Sequence, residues 1–388
     1  MESMNELAFY TLAGAPESPR ELIDEVRAAE AMGLGSAFVS ERLNIKEAAT
    51  ICGAVGAVSE RIGIATAATN HNTRHPIITA AHAMTMHTLT GGRFSLGLGR
   101  GIARASKARG LAPITTAQME DFVGLMRRLW RGETIVGHDG PAGRYPALAM
   151  RGIEPTHIPM TLVAFGPNSL ALGGRCFDAV VLHTFFNDDT TARVVKTVKD
   201  AAERAGRDPA SVRVWSCFAT VGDHLPEAVR LKKTVGRMAT YLQAYGDLMV
   251  RTNDWDPAVL ERFRADPIVS GFPGAIDQIA TTGQLEHLAT LIPEEWLAPA
   301  ATGSPAQCVV AVRGQFDLGC DGVILHGAGP DDLRPIVEEY RRTRPAGRFD
   351  HLFPNPAAEP AGGDPPGDPG LYAARAGPWT AGREGETR

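Results

Sequence analysis

Short apolar runs alternate with longer amphipathic stretches along most of the chain. The apolar runs are nearly continuous, which is typical of parallel strands that are buried on both faces. They predict eight strands, over residues 7–12, 36–40, 62–69, 94–98, 160–164, 179–183, 212–221 and 322–326. Helices are predicted between them over residues 18–32, 45–59, 76–89, 116–130, 168–175, 188–205 and 331–342, with a hairpin or other excursion over 134–150. Eight such α/β units favour a (β/α)8 TIM barrel over an open, doubly wound sheet.

Two intervals depart from this alternation. The stretch from about residue 223 to 303 is too long for one helix, so it predicts a helical insertion between strands seven and eight that covers the barrel mouth. We expect the substrate side of the mouth to be shaped by its large aromatic side chains, Trp255, Phe263, Phe272 and Trp296. Residues 354–388 contain seven Pro and seven Gly and little apolar bulk, so they are expected to be disordered. The predicted organisation is a barrel domain over residues 1–350 and a disordered tail over 351–388.

Composition mainly excludes classes of protein. Hydrophobic residues make up 44% of the chain and charged residues 21%, a globular balance, and no apolar run is long enough to span a bilayer. A net charge of −5 argues against general binding to nucleic acid or a membrane surface. The five cysteines are scattered and never spaced as CxxC, which argues against a disulfide scaffold or a zinc ribbon. Together with an N-terminus that lacks a secretory signal, they predict a cytoplasmic location.

One long window of the chain contains no acidic residue. Between residues 61 and 119 there are seven Lys or Arg side chains and four His, but no Asp or Glu. Cations in a region free of carboxylates indicate an anionic ligand, because a carboxylate there would repel it. The alternative is that much of this window is apolar barrel core, where acidic residues are rare in any case.

Functional side chains of such barrels follow the carboxyl ends of the strands. The residues in these positions are Glu41 and Arg42, then Thr69, Asn70, His71 and Asn72, then Gly99, Arg100 and Gly101, then Phe165, Gly166, Pro167 and Asn168, then His183 and Thr184, and finally His326 and Gly327. The glycines of the third set fail the dinucleotide fingerprint, so they either let the backbone approach a flat ligand or phosphate, or serve strand packing. The fourth set precedes an acid-free helix and predicts a phosphate site at its N-terminus. No metal site is predicted, because no acid lies near the closely spaced histidines His71 and His75.

Several blocks of sequence resemble the bacterial luciferase-like monooxygenase superfamily. They are Glu41 at the end of a strand, RIGIATAATNHNTRHPIITA at 61–80, TLTGGRFSLGLGRG at 88–101, and the segments 163–182 and 303–327. The resemblance spans about residues 5–345 and is closer to the branch that uses the deazaflavin coenzyme F-420 than to the luciferases. It implies a (β/α)8 barrel with a flavin or deazaflavin at its C-terminal mouth.

The resemblance also implies where the cofactor lies. The ring is expected against the ends of strands two to four, near a bulge or non-prolyl cis peptide at Thr69–Asn70. The phosphate tail is expected on the loops Gly99–Gly101 and Phe165–Asn168, where Arg100, Arg104, Lys107 and Arg109 would face an anionic tail. The expected function is hydride transfer between coenzyme F-420 and a small-molecule substrate. The alternatives are an FMN-dependent monooxygenase supplied by a partner reductase and a non-catalytic flavin- or F-420-binding protein; a homodimer is left open.

Two departures from the family pattern leave the chemistry open. Sugar dehydrogenases of the F-420 branch carry an acid–histidine pair after strand two, where this chain has Glu41 and Arg42. They also carry a carboxylate after the strand-four glycines, where this chain has Ile102. The catalytic candidates are therefore Glu41 as a polar group facing the ring, Arg42 as a partner for an oxyanion or a substrate carboxylate, and His71 as an acid or base. For Glu41 the alternative is a helix cap or a salt bridge to Arg42.

Overall fold

The computed structural model describes residues 2–14 and 16–357. Its strands are β1 (Met4–Tyr10), β2 (Leu34–Val39), β3 (Gly63–Thr66), β4 (Phe94–Leu98), β5 (Ile135–Gly140), β6 (Gly143–Leu148), β7 (Met160–Val163), β8 (Ala179–Val181), β9 (Arg213–Gly222), β10 (Ala301–Gly303) and β11 (Gly322–His326). Eight of them close into a parallel barrel in the order β1-β2-β3-β4-β7-β8-β9-β11, with β11 pairing back to β1. The predicted (β/α)8 barrel is confirmed. Outside it, β10 extends β9, and β5 and β6 form an antiparallel hairpin over the predicted excursion.

Helices cover the outside of the barrel. They are α1 (Leu22–Ala31), α2 (Ala48–Val58), α3 (Pro76–Leu89), α4 (Ala103–Ala108), α5 (Thr116–Trp130), α6 (Pro167–Cys176), α7 (Asp188–Arg204), α8 (Glu227–Leu231), α9 (Arg237–Asn253), α10 (Pro257–Ala265), α11 (Pro267–Ser270), α12 (Ile276–Ile279), α13 (Thr282–Ala289), α14 (Glu294–Leu297), α15 (Pro305–Asp317) and α16 (Pro330–Arg342). Side-chain capping boxes at Thr115 and Ser304 satisfy the first free N–H groups of α5 and α15. Within the described part of the chain, none of these helices is both long and apolar enough to cross a membrane.

The interval between β9 and β10 is helical. It holds α8 to α14 and a π-helical turn at Lys232–Gly236. These helices bury an apolar core of their own, in which Phe263 and Trp296 are almost fully enclosed. Trp255 stacks on Trp296 with ring centroids 4.5 Å apart. These aromatic residues therefore pack inside the helical region and stabilise it.

The amino-terminal end of the barrel is closed by residues 352–357, which we call the C-terminal segment. Asn355 Nδ2 donates hydrogen bonds to the carbonyl oxygens of Gly92 (2.7 Å) and Phe94 (3.2 Å), and Asn355 Oδ1 accepts one from the backbone N–H of Ala357 (2.9 Å). Ala357 is 2% exposed and packs with the small side chains of the barrel interior. The segment thus crosses the amino-terminal opening of the barrel and fills it.

Two large side chains at the start of β9 bind the C-terminal segment from inside. Arg213 Nη1 donates to the carbonyl oxygen of Asn355 (2.9 Å), and Trp215 Nε1 donates to that of Pro356 (2.6 Å). At the first residue of the C-terminal segment, the carbonyl oxygen of Leu352 accepts a hydrogen bond from Asn5 Nδ2 (2.7 Å). These bonds satisfy polar groups that the barrel would otherwise bury without partners.

The prediction of disorder from residue 351 onwards is therefore wrong for residues 351–357. Composition measures how much apolar surface a segment can bury, whereas this one is held mainly by hydrogen bonds to buried side chains and strand-end carbonyls. The rest of the predicted tail, residues 358–388, lies outside the described residues.

Candidate active site

Glu41 lies directly after β2, and its carboxylate is already engaged by several donors. It pairs with Arg74 (Nη2–Oε1 2.5 Å) and accepts hydrogen bonds from Thr69 Oγ1 (2.9 Å) and the backbone N–H of Ala48 (3.2 Å). The side chain is only 4% exposed. A carboxylate surrounded in this way fixes its neighbours in place, so its contacts support a positioning role for Glu41 more than that of a free group facing a cofactor ring. The structure pairs it with Arg74 and not with the adjacent Arg42.

Arg74 was not among the residues singled out from the sequence. Its guanidinium joins Glu41 to Glu47 and donates to Thr69 Oγ1 (2.9 Å). Partial burial raises the pKa of Glu47, but hydrogen bonds from Thr50 and Arg74 outweigh this effect and lower it to about 2. The sequence signal was an arginine in the acid-free window, with the acidic residues Glu41 and Glu47 earlier in the chain. This network anchors the loop after β3 to the start of α2.

The chain leaves β3 through a cis peptide bond between Ala67 and Ala68. The family resemblance implied such a bond near residues 69–70, and the structure places it just before that position. Thr69 then continues the pairing with β4, because its N–H donates to Gly97 O (3.1 Å) and its carbonyl accepts from Gly99 N–H (2.8 Å). The backbone of residues 67–69 and the end of β4 thus form one continuous floor on this side of the mouth.

Close packing explains the glycines at the end of β4. A Cβ on Gly97 would lie 1.5 Å from the carbonyl oxygen of Thr66, and one on Gly99 would lie 2.9 Å from Ala68 Cβ. Gly101 has a positive φ of 65° and is exposed. Of the two explanations left open by the sequence, strand packing accounts for Gly97. Packing also accounts for the buried Gly99, whereas the exposed Gly101 leaves its backbone accessible at the mouth.

Asn70 and His71 both make contacts within the protein. Asn70 Oδ1 accepts hydrogen bonds from the backbone N–H (3.1 Å) and Oγ1 (2.8 Å) of Thr73 and so closes a turn. The His71 ring is 7% exposed and stacks on Phe122 of α5, with centroids 5.1 Å apart. Burial lowers the pKa of His71 to about 4, so the ring is neutral near pH 7. These contacts give His71 a packing role and do not support the role of acid or base proposed from the sequence.

Arg100 ties the loop after β4 to the start of α5. Its guanidinium donates to Thr116 Oγ1 (2.6 Å) and to the carbonyl oxygen of Ile114 (3.2 Å), and burial lowers its pKa. Lys107 and Arg109, by contrast, are exposed on and after α4. The acid-free window therefore offers exposed cations beside the mouth, while Arg100 itself shapes the loop that carries them.

Helix α6 begins with an open N-terminus. Gly166 is its N-cap without a side-chain hydrogen bond, Pro167 opens the helix, and the first turn holds no acid. Pro167 and Asn168 are exposed. Phe165, just before the helix, stacks almost parallel on His183 with centroids 4.3 Å apart. Free N–H groups and the helix dipole make such a helix start suited to a phosphate.

Aromatic and histidine side chains fill the centre of the mouth. The sequence placed His183 and His326 at strand ends, but neither was among the catalytic or cofactor-binding candidates. His183 follows β8, and its Nε2 lies 3.1 Å from the Tyr245 hydroxyl, while Tyr241 meets the same ring at 4.9 Å. His326 ends β11 and packs edge-to-face on Tyr10 at 5.5 Å. Burial lowers the pKa of His183 to about 4 and that of His326 well below its ordinary value. The sequence signal for both residues was a histidine at the end of an apolar predicted strand.

Arg42 faces the helical region above the barrel. Its Nη1 donates to the carbonyl oxygen of Gly14 (2.7 Å), and its backbone N–H donates to that of Lys46 (3.0 Å). Burial, followed by the positive charge of Arg237 on α9, lowers the pKa of Arg42. Arg42 follows β2 and so lies at the mouth, where the charge of an arginine from a distant part of the chain acts on its pKa.

The chain thus forms a closed parallel barrel with a helical region after its seventh strand. A cis peptide follows the third strand, and an uncapped helix start follows the fifth. The family model described as luciferase-like monooxygenase matches residues 6–322, and the chain belongs to this family.

Individual relatives include enzymes of two cofactor types. The chain is 26% identical over 351 residues to an F-420-dependent glucose-6-phosphate dehydrogenase from Tsukamurella paurometabola, covering 86% of this chain and 95% of the relative. Its fold is similar to that of the coenzyme F-420-dependent tetrahydromethanopterin reductase from Methanopyrus kandleri, with a TM-score of 0.71 and 16% identity over 87% of this chain and 98% of that chain. It is also similar to an FMN complex of the oxygenating constituent of 3,6-diketocamphane monooxygenase from Pseudomonas putida, with a TM-score of 0.58 and 20% identity over 87% and 95% of the two chains.

Proposed function

We propose that this protein is an F-420-dependent oxidoreductase that transfers a hydride between the deazaflavin and a small organic substrate. The observation that carries the proposal is the uncapped, acid-free start of α6, which opens at the same end of the barrel as the floor formed by residues 67–69 and β4. A phosphate-bearing planar cofactor needs these two features together. The F-420 dependence of the dehydrogenase relative supports the choice of deazaflavin.

The residues present fit such a cofactor. Its ring would lie on the backbone at Thr69, Asn70 and Gly99–Gly101, and its phosphate at the N–H groups that follow Gly166, with Asn168 in the first turn. Phe165 and Pro167 shape this turn, and Arg100 holds the loop after β4 in place. When bound, the deazaflavin supplies the carbon that donates or accepts the hydride.

The chain itself contributes positioning and exclusion of water. Glu41 and Arg74 fix Thr69 through hydrogen bonds, so the floor cannot shift when a ring lies on it. The stacked pair Phe165 and His183, closed by Tyr245, places apolar and neutral groups around the centre of the mouth. Reacting carbons held near contact distance in such surroundings lose little entropy on reaching the transition state.

A pair of variants at Asn168 tests the cofactor assignment. Fluorescence titrations with F-420 and, separately, with FMN are made at increasing salt on the unmodified protein, on Asn168→Asp and on Asn168→Ala. The aspartate places a carboxylate in the first turn of α6, and we expect it to weaken F-420 binding about tenfold, while the alanine changes it far less. Equal F-420 affinity in both variants, or no F-420 binding to the unmodified protein, would contradict the proposal.

The FMN-bound neighbour supports a second candidate, an FMN-dependent monooxygenase that receives reduced flavin from a separate reductase. The same floor and helix start would serve FMN. Preference for FMN in the titration, with oxygen consumption once reduced FMN and substrate are supplied, would favour it over hydride transfer to F-420.

Location is a further proposal. All five cysteines are free, and four of them are buried. Unpaired thiols are typical of a reducing compartment, which supports a cytoplasmic location.

A further inference from the structure

Five partly exposed rings line the half of the mouth formed by β8, β9, β11 and β1, and we call them the aromatic lining. These four strands are consecutive in the closed sheet, and β9 and β11 lie across from β3 and β4, which carry the proposed cofactor floor. Tyr10, His183 and His326 stand at or just after strand ends, and Tyr241 and Tyr245 come from α9. None of the five is fully buried, so a ligand in the mouth can reach them.

The rings of the lining contact one another and carry no charge near pH 7. His183 meets Tyr241 (4.9 Å) and Tyr245 (5.0 Å) edge-on, and Tyr10 meets His326 (5.5 Å) in the same way. Burial lowers the pKa of His183 to about 4 and that of His326 well below its ordinary value, so both imidazoles are neutral. A wall of neutral rings suits a flat apolar body, which packs on ring faces and edges.

The hydrogen bonds of His183 fix which of its nitrogens carries the proton. Its Nδ1 lies 2.9 Å from the carbonyl oxygen of Thr184, which can only accept, so Nδ1 is the protonated nitrogen of the neutral ring. Its Nε2 is then an acceptor, and the Tyr245 hydroxyl at 3.1 Å donates to it. The single proton of Tyr245 is therefore already used, and its oxygen keeps lone pairs that can accept a further hydrogen bond.

Helix α9 holds both members of this pair. Tyr245 interrupts the helix with a non-helical backbone (φ −154°, ψ 35°). Asn253, the last residue of α9, fixes the turn after His183: its Nδ2 donates to the carbonyl oxygen of Phe185 (3.2 Å), and its Oδ1 accepts from the N–H of Asn187 (3.0 Å). Phe185 needs such support, because its φ of 62° is uncommon for a residue with a side chain. The acceptor on Tyr245 thus has a fixed position.

We propose that the Tyr245 oxygen accepts a hydrogen bond from the hydroxyl of an uncharged aromatic alcohol whose ring packs against the aromatic lining. The acceptor selects a ligand that donates, and the neutral rings select a flat apolar body. The inference rests on the proposed function, since it treats the mouth as the place where substrate and cofactor meet. It narrows the substrate from any small organic compound to this chemical class.

The charges nearby agree with an uncharged ligand. Arg237, whose guanidinium lies over the Tyr241 ring at 5.9 Å, already pairs with Asp277 (3.0 Å). A ketone of the same size as the alcohol offers only an acceptor, so it would have to compete with His183 for the proton of Tyr245. We therefore expect the site to distinguish the two oxidation states of one carbon skeleton by hydrogen bonding alone.

The probes 1-phenylethanol and acetophenone test this site, because they share one skeleton and differ in whether the oxygen carries a proton. Both are titrated, without F-420, into protein labelled with 15N-histidine, and binding is followed by NMR. The test variant is Tyr245→Phe. The matched control is Tyr241→Phe, since Tyr241 lies one turn earlier on α9 and contacts the same ring, whereas the hydroxyl that bonds His183 belongs to Tyr245.

We expect the unmodified protein and Tyr241→Phe to bind the alcohol about three- to tenfold more tightly than the ketone, the range for one net hydrogen bond. Tyr245→Phe is expected to bind the two probes alike. The non-planar analogue 1-cyclohexylethanol is expected to bind the unmodified protein more weakly than 1-phenylethanol. Equal affinity for alcohol and ketone in the unmodified protein, a preference that persists in Tyr245→Phe, or tighter binding of the cyclohexyl analogue overturns the inference.

The protonation pattern of His183 gives a second test that leaves Tyr245 unchanged. Its resonances are assigned by their loss in His183→Gln. We expect Nδ1 to be protonated and Nε2 unprotonated at pH 7, and addition of 1-phenylethanol to shift the Nε2 resonance. A protonated Nε2 overturns the inference, because the Tyr245 hydroxyl would then accept from His183 and not donate to it.

F-420 affinity is measured on the same samples to keep the two proposals apart. Absence of F-420 binding to the unmodified protein refutes the cofactor proposal and leaves the alcohol preference standing. Normal F-420 binding without a preference for the alcohol refutes only the present inference.

Discussion

Replacing Asn355 by alanine tests how the C-terminal segment closes the barrel. The substitution removes two hydrogen bonds to the carbonyl oxygens of Gly92 and Phe94 and one from the backbone N–H of Ala357. Each such bond contributes about 1 kcal/mol net, and more where a buried group is left without a partner. Because Asn355 is 6% exposed, water does not readily replace them, and we expect the free energy of unfolding to fall by about 3 kcal/mol.

The loss has an upper limit. If the variant segment is less stable bound to the barrel than free, it detaches. Detachment recovers the conformational entropy of the segment, which is about 1–2 kcal/mol per residue. A chain that ends at Leu352 measures this limit, since it lacks the contacts of Asn355 and Pro356 with Arg213 and Trp215. We therefore expect Asn355→Ala to be destabilised by no more than the shortened chain.

Denaturant unfolding followed by tryptophan fluorescence measures all of these variants. Phe353→Ala is the matched control, because Phe353 lies in the same segment but is 52% exposed, and we expect it to change stability by less than about 0.5 kcal/mol. The reasoning is refuted if Asn355→Ala lies within that margin of the unmodified protein, or if the shortened chain is as stable as the full one.

Three further predictions concern the upper part of the barrel. Gly97→Ala should prevent stable folding, because its Cβ would lie 1.5 Å from the facing carbonyl oxygen, while Gly53→Ala, with free space around it, should not; thermal unfolding compares the two. Glu41→Gln should destabilise the protein by about 3 kcal/mol and weaken F-420 binding, since it breaks a buried ion pair; unchanged unfolding and cofactor titrations would refute its positioning role. Because folding lowers the pKa of His71 and His183 from 6.5 to about 4, the unfolded chain binds more protons between these values. Stability should therefore be full above about pH 6.5 and fall towards pH 4, which denaturant titrations across that range would show.

Hydrophobic patterning predicted the elements of the barrel because each strand and helix is decided mainly by its own residues. The bounds of α3, α5, β4 and β11 agree with those read from the sequence, since Pro, Gly or Thr residues mark their ends. The short strand β10 was missed, because three residues carry too little pattern.

The candidate site was predicted only as far as position along a strand decides it. The residues chosen from the sequence follow β2, β3, β4 and β7, but the direction of each side chain depends on partners from elsewhere in the fold. Glu41 meets Arg74 across 33 positions of sequence, and His71 is drawn into the protein by Phe122. The effect of the Arg237 charge on the pKa of Arg42 depends on how a distant helical region packs, which no local pattern contains.

The closure of the barrel by its own C-terminal segment also orders events during synthesis. Asn355 bonds to Phe94 across 261 positions, and Asn5 to Leu352 across 347. The ribosome therefore completes all eight barrel strands before it makes the segment that fills their amino-terminal opening. Until it arrives, the indole of Trp215 and the guanidinium of Arg213 face an open, water-accessible end. Contacts of such separation form late, so the nascent barrel passes through a stage in which chaperones and proteases can still reach its interior.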